Sequence, residues 1–301
     1  MKIYRGENTA STPASAAYSW TTDLNVANFF ACRRGFGPAS ITEAVVAKKD
    51  IIEAFFDDRD ESEVIVNPRN VHILQQIPVH GLDFLTPILP EIAPMFHKYM
   101  EQMEDIAFAQ NSSIHGMGHE ARVLLLSLTL SHLLDLPSRD RKILATAAIF
   151  HDSQRTNDDT DPTHGKSGRE YYHNFVSSPD PLVEFLCEFH CLPDDVAYNE
   201  IRNNRKLSKH RSRAKLLFDI FKDADALDRV RFDIRDLDLN QLRLPISKEL
   251  TLVARLYLEQ VKIPERHFKP LLSNQIQTAS SRATNAHSSG PSKKYVAAPD
   301  R

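Results

Sequence analysis

Seven of the thirteen histidines in this 301-residue chain fall between positions 115 and 190, with carboxylates beside and between them. The apolar run "ILATAAIFHD" closes on His151-Asp152, and His164 follows twelve residues after that aspartate. His190 ends the run "DPLVEFLCEFH", and "FKDADALDR" places Asp223 and Asp225 within a later one. His115 and His119 are four apart, which puts them on one helix face if a helix starts near Ser112. Gly116 and Gly118 favour a later start, near His119. Imidazoles and carboxylates together suit a divalent ion of the Mn, Fe, Zn or Mg range. Helices that point such residues inward can build a site for one or two ions.

Other residues in the same stretch have plainer readings. His132, within "LSHLLDL", and His173 need only one hydrogen-bond partner each and are read as structural. Cys187, His190 and Cys191 have the first half of a zinc-knuckle spacing, but the second half of a tetrahedral set is missing nearby. "RTNDDTDPT" lacks the glycine and terminal glutamate of an EF-hand and is read as a loop over the site. Asp223 and Asp228 are read as exposed helix charges.

Such a ligand set needs helices to carry it. From about residue 95 to 260 the hydrophobic period is helical, with apolar stripes at i, i+3 and i+4. The runs are "ARVLLL", "SLTLSHLLDL", "RDRKILATAAIF", "DPLVEFLCEFH", "RAKLLFDIFKDADALDRV" and "SKELTLVARLYLEQV". They predict an all-α bundle over residues 97–270. Before it, "KIYR", "ITEAVVA", "SEVIVN" and "VHILQQI" read as strands, and "DLNVANFFACRR" as a helix. This makes residues 1–80 a small domain of mixed strands and helix. Prolines at 78, 87, 90 and 94 mark a linker over 81–96, and the aperiodic Ser/Asn/Thr-rich residues 271–301 read as a disordered tail. The fold class expected is α+β.

The order His119, His151-Asp152, His164, His190, Asp225 resembles the HD-domain metal-dependent phosphohydrolase superfamily over about residues 110–260. "HEARV" is similar to that family's first histidine helix, "AAIFHD" to its defining dyad and "ADALD" to the helix of its last aspartate. "HGMGHEARV" with "KDADALDRVRF" also resembles the phosphodiesterase domain of bacterial effectors that process ADP-ribosylated ubiquitin. No Gly-Tyr-Pro triplet follows, which disfavours the cyclic-di-GMP-degrading branch. The resemblance implies that His119, His151, Asp152 and Asp225 hold one metal ion. Asp152 would bridge to a second, completed by His164 and His190. It selects Asp225 over Asp223 and puts His115 in reach of the substrate as outer ligand or proton donor. Arg122, Arg155 and Lys166 are the cations expected on phosphate oxygens.

"YRG" at 4–6, "YSWTTDLNVANFFACRR" at 18–34 and "ESEVIVNP" at 61–68 resemble the arginine–serine–glutamate type of mono-ADP-ribosyltransferase. The resemblance implies that Arg5 binds NAD, that Ser19 and Thr21 lie on the serine-containing strand and that Glu63 is catalytic. Glu61 stands two residues earlier, so a strand would turn both carboxylates to one side. Little chain precedes Arg5, and the nucleotide cleft is expected to be an incomplete version of that family's.

Composition excludes some functions. A net charge of −3 and a sequence pI near 6.5 leave no electrostatic footprint for nucleic acid. No apolar run is long enough for a membrane span, and the polar start "MKIYRGENTA" lacks a signal-peptide core. Three cysteines without a Cys-x-x-Cys pair fit a reducing compartment, so the expected location is cytoplasmic, with export as an effector the alternative. The function expected is metal-dependent hydrolysis of a nucleotide or ADP-ribose-containing phosphoester, with a protein substrate within that class. The rivals are an NAD-using transferase with a regulatory helical region and a non-catalytic nucleotide sensor.

Overall fold

The computed structural model describes residues 1–56, 61–109, 114–159 and 161–261, so the tail expected over 271–301 lies outside the described residues. An antiparallel six-stranded sheet comes first and a helical region follows, an α+β arrangement. The strands are β1 (Lys2–Asn8), β2 (Ser19–Thr21), β3 (Ala39–Val45), β4 (Ile51–Phe55), β5 (Glu63–Val66) and β6 (His72–Val79), in the order β4-β5-β2-β1-β3-β6. Arg5 on β1 opposes Thr42 on β3, and Thr21 on β2 opposes Glu63 on β5. Helix α1 (Leu24–Cys32) packs on β1 and is capped by Asp23, whose carboxylate accepts from the Asn25 N–H at 2.7 Å.

The helical region comprises α2 (Leu82–Leu85), α3 (Leu89–Met103), α4 (Met117–Leu133), α5 (Ser138–Phe150), α6 (His164–Phe175), α7 (Pro181–Phe189), α8 (Asp194–Asn203), α9 (Arg211–Leu227) and α10 (Thr251–Val261). The two expected runs "ARVLLL" and "SLTLSHLLDL" are one helix, α4. It is buried on every side rather than along one stripe, because α3, α5, α9 and α10 surround it.

The expected linker over 81–96 is instead helical. Pro90 sits in the first turn of α3, where a missing N–H costs nothing, and Pro94 lies only one turn further in. Ile92, Ala93 and Phe96 from this stretch are buried in the core. The sheet and helices also share that core. Leu24, Ala27, Ala31, Cys32, Ile41 and Val79 join the apolar cluster of α3–α10, while Ile3, Trp20, Ala44, Val46, Val64 and Val66 form a smaller cluster. Polar links cross the same boundary. The His80 N–H donates to the Glu249 carbonyl at 2.8 Å, and Asn25 bonds both the Asp238 carboxylate and the Leu239 N–H.

Candidate metal centre

Four imidazoles reach one place because helix ends deliver them. His151 caps the C-terminus of α5, His190 caps that of α7, His164 opens α6, and His119 lies in the first turn of α4. Three of them use one device. Nδ1 of His151 donates to the Ala148 carbonyl at 3.0 Å, that of His190 to the Cys187 carbonyl at 2.8 Å, and that of His164 to the Asp161 carbonyl. Each acceptor stands three residues before its histidine. A carbonyl can only accept, so the proton sits on Nδ1 and Nε2 is left to face inward. His119 reaches the same state differently, with Nδ1 donating to Asp228 Oδ2 at 2.7 Å.

The inward nitrogens converge on Asp152. His119 Nε2 lies 3.3 Å from His151 Nε2, 3.3 Å from Asp225 Oδ1 and 3.8 Å from Asp152 Oδ2. His164 Nε2 lies 2.9 Å from His190 Nε2, and these two atoms stand 3.1 and 3.3 Å from Asp152 Oδ1. Ligands about 2.0–2.1 Å from an ion stand ~3.3 Å apart in a tetrahedron and ~2.9 Å apart in an octahedron. The observed separations fall around those values on both sides of Asp152. Two buried clusters, His119/His151/Asp152 and His164/His190 with Cys191, could therefore hold metal ions.

Electrostatics agree with that use. Burial and the neighbouring imidazoles push His151 down to about 3, which keeps it neutral. Burial works against ionising Asp152, but His151, His164 and His190 hold it well below the carboxylate range. Burial opposes a charge on His164 as well, yet bonds to Asp152 and Cys191 raise it to about 10. A cluster of inward lone pairs this tight is suited to a cation. Asp225, 31% exposed, faces the cavity and is also held low by His119 against its burial.

Two glycines allow the helices to come this close. A Cβ on Gly165 would lie 2.6 Å from the carbonyls of Cys187 and Glu188, and one on Gly168 would lie 2.4 Å from the carbonyl of His151. The start of α6 is thus wedged, backbone to backbone, between the ends of α5 and α7.

The cavity beside the cluster holds about 360 Å³. His115 and Arg155 line it. His115 precedes α4 rather than sharing its face, because Gly116 holds an extended conformation before the first turn. Its ring still stands edge-on to His119, 5.7 Å between centroids, with Nδ1 2.9 Å from Asp158. Arg155 is pinned by the carbonyls of Asn157 and Asp159 and points Nη1 at Asp152 Oδ2, 3.5 Å away.

Arg122 and Lys166 are not brought to the cavity. Arg122 is buried and forks onto Asp228, at 2.5 and 2.9 Å. Lys166 is 64% exposed and pairs with Glu170, one turn along α6 and away from the site. In their place Lys222, Arg229, Arg231 and Arg243 join Arg155 on the wall.

Asp223 and Asp228, expected as exposed charges, are both fully buried. Asp223 accepts from the backbone and side chain of Arg243 and so braces the chain after α9. Asp228 binds His119, Arg122 and Arg231 at once; burial works to raise it, and the bonds from His119 and Arg122 hold it low. Its only sequence signal was its place one turn beyond Asp225. His173 is exposed and bonds Glu184 at 2.7 Å, and His132 is half-buried.

The sheet carries a second cleft of about 320 Å³, lined by Arg5, Ser19, Thr21, Glu61 and Glu63 among others. Ser19 Oγ donates to Glu63 Oε1 at 2.5 Å, and Arg5 donates to the carbonyls of Ser19 and Thr12. Glu61 lies outside β5, because Ser62 takes a positive φ of 45° and breaks the alternation before the strand begins. Both glutamates nevertheless face this cleft.

No family model matches the chain, and neither a curated protein nor a solved structure matches it. No helix among the described residues is long and apolar enough to cross a membrane.

Proposed function

We propose that the chain is an HD-type metal-dependent phosphohydrolase acting on a phosphodiester or phosphomonoester in a nucleotide or an ADP-ribose-containing molecule. The observation that carries this is the convergence of four imidazoles, each with Nδ1 committed to an acceptor, on the two oxygens of Asp152. His119, His151, Asp152 and Asp225 would hold one ion. His164 and His190 would hold the other, sharing Asp152. A bound pair would acidify water and neutralise charge on the phosphoryl oxygens.

The chain's own residues do the rest. Arg155 and Arg231 reach into the cavity where phosphoryl oxygens would lie, and they favour a doubly anionic group over a neutral one. His115, held through Nδ1 by Asp158, stands on the wall where its ring can pass a proton to the departing oxygen. Of the cavity lining, Asp152, His164 and His190 are buried, which strengthens charge interactions beside them.

Metal analysis of the purified protein followed by a phosphoester panel tests the reading. Turnover should vanish in the His151→Ala/Asp152→Ala double variant, and retained turnover there would overturn it. ADP-ribosylated peptides belong in the panel, since the neighbouring cleft motivates that substrate. Hydrolysis of simple nucleotides alone would remove the ADP-ribose part.

The Ser19–Glu63 bond inside a cleft with Arg5 favours a second activity there, NAD-dependent ADP-ribosyl transfer, with Glu63 stabilising positive charge on the ribose. NAD cleavage lost in Glu63→Gln and unchanged in His151→Ala would support it. Absence of NAD cleavage in the native protein would refute it.

A further inference from the structure

Beside His164 and His190 stands a donor outside the six-residue set. Cys191 follows His190 at the end of α7, half-buried on the cavity wall. Its Sγ lies within 4.8 Å of a ring nitrogen of each of those histidines. Its other polar neighbours are the carbonyls of Pro162 at 3.6 Å and Glu188 at 3.8 Å and the backbone N–H of Gly165. The missing side chain of Gly165 leaves room for this sulfur, since a Cβ there would sit 3.0 Å from it.

A second observation points to the same spot. Asp152 Oδ1 is buried and makes no hydrogen bond of good geometry among the described residues, yet it aims between His164 and His190. The other two thiols are turned elsewhere. Cys187 faces the Ala147 carbonyl and Cys32 faces Asn28, both fully buried.

We propose that Cys191 is a thiolate ligand of the second ion, making His164, His190, Asp152 and Cys191 a tetrahedral set that selects Zn²⁺ or a similarly thiophilic ion over Mg²⁺ and Mn²⁺. This rests on the metal-centre reading above and extends it to the identity of one ion. With a metal–sulfur bond of ~2.3 Å, the sulfur stands about 3.6 Å from each ring nitrogen, so the thiol has little more than about 1 Å to move. Soft sulfur favours Zn²⁺, Co²⁺ or Fe²⁺, whereas the sulfur-free set of His119, His151, Asp152 and Asp225 also accepts harder ions. The two positions are therefore chemically unequal. Of the half-knuckle residues only His190 and Cys191 take part, and the set is completed from α6 and from Asp152 rather than from Cys187 or a second knuckle.

Cobalt titration of the full chain tests this through its spectrum. The native protein should bind two equivalents of Co²⁺ and develop a near-ultraviolet thiolate-to-cobalt charge-transfer band. Cys191→Ser should lose that band, keep one tight Co²⁺, and bind the second at least about 10–100-fold more weakly, the range found for losing even an outer partner of a ligand. A native measurement guards against misfolding of the variant. Zn²⁺ should protect Cys191 from alkylation in the wild-type protein, with Mg²⁺ giving no protection. Two bound Co²⁺ ions with no charge-transfer band, or Cys191 alkylated equally fast with and without Zn²⁺, would overturn the proposal and leave the metal centre standing. Failure of the native protein to bind any Co²⁺ would overturn both.

Discussion

The ring of His119 is held by Asp228, a residue 109 positions further along the chain, through an Nδ1–Oδ2 contact of 2.7 Å. The same carboxylate takes the fork of Arg122 and a bond from Arg231, so one buried anion sets the orientation of an inward-facing imidazole. Outer partners of this kind fix tautomer and raise ligand basicity. Asp228→Asn should therefore weaken metal binding by about 10–100-fold in calorimetric titration. It should also destabilise the fold by ~3–5 kcal/mol, because Arg122 and Arg231 lose a buried counter-charge. Unchanged metal affinity in a folded variant would show that His119 needs no such partner.

Arg155 and Lys166 separate a cavity cation from a surface one. Arg155→Ala should lower kcat/KM for the substrate about 100-fold, the loss typical of removing one group that stabilises transition-state charge. Lys166→Ala should leave it unchanged, since that ammonium is exposed, pairs with Glu170 and does not line the cavity. Equal effects of the two variants would place the phosphate elsewhere.

Gly165 is where α6 meets α7. Gly165→Ala forces a methyl against two carbonyl oxygens and should cost ~1–3 kcal/mol in chemical denaturation. Native mass spectrometry should show that the variant loses the ion at His164/His190 first, with the ion at His119/His151 retained. Simultaneous loss of both would mean that the two positions are not separable.

Asp194 accepts both prongs of Arg243 at 2.7 and 2.8 Å and pairs with Lys222 at 3.1 Å, two cations of the cavity wall. Burial works to raise its pKa, but these cations outweigh it and hold it low. A depressed carboxyl contributes stability that is fully present above its unfolded pKa of ~3.9 and is lost as pH falls through the folded value. Asp194→Asn should thus be less stable than the native protein at pH 7 and at pH 5, with the gap closing below about pH 4. A gap that persists undiminished to pH 2 would mean the contribution is not electrostatic.

Positions whose surroundings are set by nearby residues are legible in the sequence. His151, His164, His190 and Asp225 stand at helix ends, and an apolar run that stops on His-Asp already marks such an end. The long strands were visible through their Val, Ile and Tyr content with partial alternation, and the helix "DLNVANFFACRR" through its near-helical apolar spacing. Other features depend on contacts made far along the chain. Asp228 looks like any acidic helix residue until α9 folds back on α4 and buries it beside His119. Arg122 carries no mark that its guanidinium points away from the cavity. Helices α6 and α8 were hidden by glycines and by polar composition, and prolines disguised α3 as a linker. Ser62 hid the loss of alternation at Glu61, since nothing in its type demands a positive φ.

The apolar interior shared by sheet and helices has one more implication. The sole tryptophan, Trp20, is buried in the sheet, on the smaller of the two apolar clusters. Residues on α1, β3 and β6 nevertheless belong to the interior of the helices that deliver the histidines. Heating should consequently melt the molecule in a single cooperative step, with indole fluorescence and release of bound ions reporting the same midpoint. A ligand seated in either cleft would then raise the melting temperature of the whole chain.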